Sequence, residues 1–432
     1  MNATAIRTLH AREILDSRGR PTIEVDAMMN DGSVGRASVP SGASAGTAEA
    51  HEMRDGDAAR YSGLGVAKAV GNVNAEIDRA LHHVDGSDQA AVDIRLCELD
   101  GTPQLRRLGA NATLGVSLAV CRAVAISRGQ PLYERIAELA SAQPLLPLPM
   151  TNILSGGLHA GGGMDFQDFL VVPMRASSID EAIHSIARVR NAATDVLRER
   201  GLPTLLADEG GLAPGCETAR AALQLMMESI ERAGLVPGDD MAIAIDVAAT
   251  TLRRPDSRYR LAREGRELAR DAIIEMIEGL VHDFPVVSVE DALDEEDWHG
   301  WKDLTTRLGR ALQLVGDDLF TTNPARVERG IGEGVANAVL VKANQNGTLT
   351  GTLRVIAQAR AAGYATIVSA RSGETEDAFM SDLAVGSGAA QIKIGSLRTS
   401  STVAKYNQLL RIGERSHARY AGAAALAAHR LC

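Results

Sequence analysis

Apolar and polar positions alternate early in the chain and then fall into helical spacing. Residues 22–28 read Thr-Ile-Glu-Val-Asp-Ala-Met, the period-two pattern of a half-buried strand. Asn30-Asp31-Gly32 is a turn signal, and the pattern resumes over 34–39, which predicts a hairpin. Residues 66–81 have helical spacing, and 111–127 (NATLGVSLAVCRAVAIS) are apolar enough to predict a well-buried helix. From Gln143 to Pro149 the chain places prolines at 144, 147 and 149, through which no helix continues. A domain boundary is placed there, with 1–140 as an α+β unit and 141–432 as the second unit.

Beyond that stretch, short apolar runs recur, each closed by a polar residue and followed by a helical segment. The runs are 241–245, 286–289, 312–315, 338–341, 366–368 and 391–392. The closing residues are Asp246, Glu290, Asp317, Lys342, Ser369 with Arg371, and Lys393. The first interval is 44 residues and the later ones lie between about 22 and 29, the length of a strand plus a crossover helix. Such units predict parallel strands, closed as a β/α barrel or open and doubly wound. No GxGxxG opens the first unit and the polar residues do not gather at one switch point, which favours the barrel. The expected fold class is α/β: a C-terminal β/α barrel with an N-terminal α+β capping domain. Strand carboxyl ends share one mouth in a barrel, so Asp246, Glu290, Asp317, Lys342, Arg371 and Lys393 should converge.

Composition narrows the class. Hydrophobic residues make up 45% of the 432-residue chain but aromatics only 3%, so the core must rest on Ala, Val, Leu and Ile. The net charge of −10 argues against a nucleic-acid footprint. Cys97, Cys121, Cys216 and Cys432 lie far apart with no CxxC pair, as expected of reduced thiols. The N-terminus shows no apolar signal segment and no run of 18 apolar residues occurs, so a cytoplasmic protein without a membrane span is expected.

Three carboxylates at neighbouring strand ends repel unless a cation sits among them, and oxygen-only ligands select a hard ion such as Mg²⁺. The plainer alternative is that each acid caps the helix that follows it. Two lysines and an arginine at the same mouth suggest a small anionic phospho-acid substrate. Arg371 would grip phosphate or carboxylate bidentately. A lysine near other cations would have a lowered pKa and serve as a general base. The alternative is that Lys342 and Lys393 are counter-charges to the acids.

At these residues the chain resembles enolase, from about Ala11 to Ile412. The stretches that carry the resemblance are AREILDSRGRPTIEV, VPSGAS, MRDGD, LGANATLGVSLA, GGLHAGG, ADEGGLAP, SVEDALDEEDWHGW, QLVGDDLF, VKANQNGTLT, RSGETEDAFMSDLAVG, QIKIGS and AKYNQLLRI, in order. The resemblance implies that Lys342 removes the C2 proton of 2-phosphoglycerate and that Glu209 protonates the leaving hydroxyl. It implies Asp246, Glu290 and Asp317 as ligands of one Mg²⁺ and Ser44 as the group that holds a second beside the phosphate. Arg371 and Ser372 match phosphate contacts, Gln167 and Lys393 carboxylate-side contacts, and His159 a histidine on a mobile loop. Glycines in SGASAG and GGLHAGGG suit loops that close over a substrate. A homodimer, in some members an octamer, is also implied, with Glu24 and Arg411 as a cross-subunit pair.

Several positions depart from the family pattern; three fall in or beside the site the resemblance implies, and two of these, Asp168 and Ala370, lie where hydroxide would leave. Asp168 stands where the family has Glu, shorter by about 1.5 Å. Ala370 stands where it has His and Ala45 where it has Thr. Asn346, Gly351 and the stretch 397–402 also differ, and Arg188 replaces the usual acidic partner of Arg12. The resemblance therefore implies an enolase or an enolase-like paralogue. One such paralogue is carboxyphosphonoenolpyruvate synthase of phosphonate antibiotic biosynthesis, which joins a phosphonoformyl group to a three-carbon enol acid. A non-catalytic binding protein on the same fold is the third alternative.

Overall fold

The computed structural model describes residues 2–43 and 46–427. Ser44 and Ala45, Cys432 and the rest of the extreme C-terminus lie outside the described residues.

The N-terminal sheet joins β1 (Ile6–Leu15), β2 (Pro21–Met29) and β3 (Val34–Ser38) in an antiparallel meander. The predicted hairpin is present, with Met28 opposite Val34. β1 was not legible in the sequence, because its register shifts between Ile6 and Thr8. Its buried Ile6, Leu9 and Ala11 therefore stand three and then two apart, which breaks the period of two. The predicted buried helix spans Ala110–Ser127 and packs on β2 and β3. It is long and apolar enough to cross a membrane, yet 83% of it is buried inside the protein.

Gly35 sets how closely that helix approaches. A Cβ there would stand 2.2 Å from both the Ala119 carbonyl oxygen and the Ala123 nitrogen. These are main-chain atoms of the helix and cannot swing away. Gly35→Ala should cost at least about 2 kcal/mol in chemical denaturation. Gly71→Ala, on an open face of the helix Ala67–Asn72, should be neutral or slightly stabilising.

The second unit is a closed barrel. Leu145–Leu146 (β4) leads into β5 (Leu148–Ser155), β6 (Asp168–Pro173) and β7 (Met241–Asp246). A hairpin of β8 (Tyr259–Leu261) and β9 (Arg266–Leu268) follows β7 and accounts for the long first interval in the strand rhythm. Then come β10 (Val286–Glu290), β11 (Gln313–Gly316), β12 (Ala338–Val341), β13 (Ala365–Ser369) and β14 (Gln391–Lys393). The ring runs β10-β11-β12-β13-β14-β5-β6-β7.

All six predicted runs are barrel strands and pair in parallel as expected, whereas a strand outside those runs departs from that direction. β6 is antiparallel to both β5 and β7. The segment between β5 and β6 holds one short 3₁₀ turn at Gly157–Ala160 and no crossover helix, so the chain must return alongside β5. The proline stretch is not only a linker, since Pro149 is the second residue of β5.

Inside the barrel a largely aliphatic core, including Leu148, Met150, Leu170, Leu340 and Ile367, meets Ala425 and Leu426 from the tail. The tail also pairs: β15 (Arg419–Tyr420) lies parallel to β4. At the predicted subunit contact, Glu24 accepts from Arg12 at 2.6 Å and from Ser38 at 3.0 Å within its own chain. Arg12 also binds Asp26, and Arg188 donates to the Ala233 carbonyl.

Candidate active site

The barrel places six charged groups from distant segments around one cavity. β7 ends on Asp246 and β10 on Glu290, which are direct register partners. Asp317 follows β11, Lys342 follows β12, and Lys393 ends β14 opposite Ser369 of β13, two residues before Arg371. Asp246, Asp317, Lys342, Arg371 and Lys393 line the cavity. Glu290 is reached through Lys393. The convergence expected from the strand rhythm is therefore present.

Buried carboxylates need compensation, and here the lysines supply it. Lys393 Nζ donates to Asp246 Oδ2 at 2.9 Å and to both Glu290 oxygens at 2.8 and 2.7 Å. Lys342 Nζ is paired with Asp317. Gln167 donates to Asp246 at 3.1 Å, and Gln345 to Asp317 at 2.9 Å. Burial pushes the Asp246 and Asp317 pKa values up, but Lys393 and Lys342 outweigh it and hold both below the ordinary value. Glu290 is driven well above its ordinary value by burial and by Asp246.

The lowered lysine pKa expected from neighbouring cations is not found. Burial depresses the Lys342 ammonium, yet Asp317 prevails and its pKa is raised. Lys393 is likewise raised, by Asp246 and Glu290 against burial. The contacting carboxylate outweighs the more distant like charges.

A second acidic group adjoins the first. Carboxylate oxygens of Asp291, Asp317 and Asp318 lie within 4.8 Å of one another. Asp291 accepts the backbone N–H of Asp317 and of Asp318, both at 2.9 Å. Burial and then Asp317 raise the Asp318 pKa to about 7. Asp291 and Asp318 were missed in the sequence, although each directly follows a predicted acid. These clustered all-oxygen donors, two of them buried and Asp318 partly so, suit a hard divalent ion such as Mg²⁺.

Across the mouth stand His159, Asp168 and Glu209. Asp168 begins β6 opposite Ser155, which donates to it at 2.6 Å. Glu209 accepts from Asn152 of β5 at 3.3 Å. His159 Nδ1 lies 3.4 Å from Asp168 Oδ2 and 3.9 Å from Glu209 Oε1. Burial works against charging the ring, but Glu209 and then Asp168 carry its pKa to about 9. Burial raises the pKa of Glu209 itself. Ala370, 5% exposed, turns a methyl group to the same cavity.

The Arg371 side of the cavity is completed by the N-terminal domain. Arg371 pairs with Glu49 at 3.0 Å and donates to Asn344 at 3.3 Å. Arg18 Nη1 donates to Ser372 Oγ at 3.0 Å. No periodicity or spacing linked Arg18 or Glu49 to barrel residues more than 300 positions away.

Comparison with family models accounts for the rest of the pattern. Residues 6–136 match the N-terminal domain of enolase, and residues 143–429 match the enolase C-terminal TIM barrel domain. Two matches in chain order leave only short segments unaccounted for, and they coincide with the capping sheet and the barrel just described. The chain thus belongs to the enolase family.

Proposed function

We propose that this enolase-superfamily lyase removes the C2 proton of 2-phosphoglycerate and expels water to give phosphoenolpyruvate, with Mg²⁺ as cofactor. The observation that carries the reading is the separation of amine and carboxyl groups across one cavity. Lys342 follows β12, while His159, Asp168 and Glu209 stand on the β5–β6 side, three to four strands away around an eight-stranded ring. A bound substrate meets a base on one face and an acid on the other.

Lys342 takes the C2 proton. It does so as the neutral amine, which requires Asp317 to turn its charge to another cation. Asp246, Glu290 and Asp317 are the residues that would hold Mg²⁺, with Ser44 for a second ion. Bound there, Mg²⁺ supplies Lewis-acid stabilisation of the ene-diolate charge. Glu209, whose pKa burial raises, is the group that would protonate the departing hydroxyl. Arg371 and Ser372 orient the phosphate, and Gln167 and Lys393 serve the carboxylate side. The reading extends to a cytoplasmic homodimer, in which Glu24 would share its present partners with Arg411. The test is enol absorbance on adding 2-phosphoglycerate and Mg²⁺: rapid growth is expected, and a flat trace overturns the dehydratase reading.

One observation favours a second reading. Among the described residues Asp168 Oδ2 accepts no hydrogen bond, although His159 Nδ1 lies 3.4 Å from it, and Ala370 beside the cavity carries no polar group. That side would accommodate a bulkier group than hydroxide, as carboxyphosphonoenolpyruvate synthase requires. Mg²⁺-dependent exchange of the C2 proton without dehydration would select it.

A further inference from the structure

Behind the loop that carries Glu209 lies a second cavity of about 510 Å³, lined in part by Arg190, Arg198, Leu206, Leu212 and Arg398. Arg190 projects from the helix Ile179–Glu199 and is only 7% exposed. Its Nε donates to Ser396 Oγ at 3.2 Å, Nη1 to Thr194 Oγ1 at 2.6 Å and Nη2 to the Gly210 carbonyl at 3.5 Å. All three acceptors are neutral, and among the described residues no carboxylate pairs with it. A buried guanidinium is ordinarily paired with an acid.

Its neighbours add charge of the same sign. Burial and then Arg398 depress the Arg190 pKa to about 10. Arg398 is exposed at the rim, and so is Arg198, whose Nη1 lies 3.6 Å from Asp195. Three guanidiniums against the one carboxylate lining the cavity leave two positive charges, in a chain whose net charge is −10. Guanidinium forks match the geometry of phosphate oxygens.

We propose that this cavity is a second anion site, separate from the barrel mouth, that takes a phosphate-type dianion between Arg190, Arg198 and Arg398. The ligand class is inorganic phosphate or a small phosphate monoester. The site is joined to the catalytic side by main chain. Arg190 holds the Gly210 carbonyl, and the Ser396 N–H donates to the Glu209 carbonyl at 2.8 Å. Gly210, at φ +83°, packs so near Arg398 that a Cβ on it would lie 3.2 Å from the Arg398 Cβ. An anion held by these arginines stiffens the loop from which Glu209 projects toward the mouth.

The experiment uses the full chain with inorganic phosphate as probe. It reads calorimetric binding together with hydrogen exchange of the amides of residues 207–212. Phosphate should slow exchange there in the unaltered chain and in Arg371→Met, which impairs the mouth. Arg398→Ala should weaken that protection by about tenfold in phosphate concentration, and Arg398→Glu should abolish it with the far-UV spectrum unchanged. Protection that disappears with Arg371→Met and survives Arg398→Glu places the anion at the mouth and overturns the proposal. The proposal also fails if Arg398→Glu leaves phosphate binding intact and instead converts a larger species to single chains in sedimentation. In that case an acidic side chain of a second copy fills the cavity.

Discussion

Lys342→Met is expected to lower turnover of 2-phosphoglycerate by about 10²–10⁴-fold, the range that a positioned general base contributes. Loss of turnover alone would not distinguish chemistry from damage, so the decisive readout is exchange of the C2 proton with deuterated solvent. That exchange needs only deprotonation. It should vanish in Lys342→Met and persist in Glu209→Gln, which lacks the acid for the second half of the reaction. Methionine also leaves Asp317 without its ammonium. A buried carboxylate stripped of its partner costs about 3–5 kcal/mol, so the metal-free variant should melt earlier than the unaltered chain. Added Mg²⁺ should restore much of that loss, because it compensates the same oxygen atoms. A variant that still exchanges the C2 proton would remove Lys342 from the role, and one that melts normally without Mg²⁺ would show that its pair with Asp317 adds no stability.

Glu290→Gln should give the opposite stability signature. Glu290 is held well above its ordinary pKa by burial and by Asp246. Lys393 keeps Asp246 as a partner when the second carboxylate becomes an amide, so the metal-free chain should lose little stability. Mg²⁺ should then lose its effect. The rise in melting temperature that Mg²⁺ gives the unaltered chain should largely disappear, and Mg²⁺-dependent turnover should fall by about 10²-fold or more, since several kcal/mol of charge stabilisation depend on the ion. Undiminished Mg²⁺ stabilisation would show that Asp246, Glu290 and Asp317 do not share an ion. The neighbouring Asp291, Asp317 and Asp318 would then be the cluster to alter next.

The fold was legible where a strand delivers a polar group at its carboxyl end. Asp246, Glu290, Lys342 and Lys393 each close or follow an apolar run, and each lies at the mouth. β6 escaped because it runs the other way and brings Asp168 to the mouth at its first residue. Its six residues are all buried, so no alternation marks it either. β5 was obscured by Pro149. Asp246, Glu290, Asp317, Lys342, Arg371 and Lys393 could be grouped from strand rhythm alone, and the resemblance added His159, Gln167, Asp168, Glu209 and Ser372. What neither source contained was which charge touches which. The raised Lys342 pKa follows from its contact with Asp317, a fact of side-chain placement. Arg18, Glu49 and the arginines behind the Glu209 loop were hidden for the same reason.

The pairing of β4 with β15 has a mechanical consequence. The ring of strands closes where β14 meets β5, and the segments just before β5 and well after β14 are fastened to each other beside that junction. Neither terminus of the barrel can fray by itself, because peeling away β15 also uncovers the lead-in to β5 and withdraws Ala425 and Leu426 from the barrel interior. The fastening lies at the amino-terminal end of β5, the end of the barrel away from the mouth, so the closure is pinned where no site residue is needed.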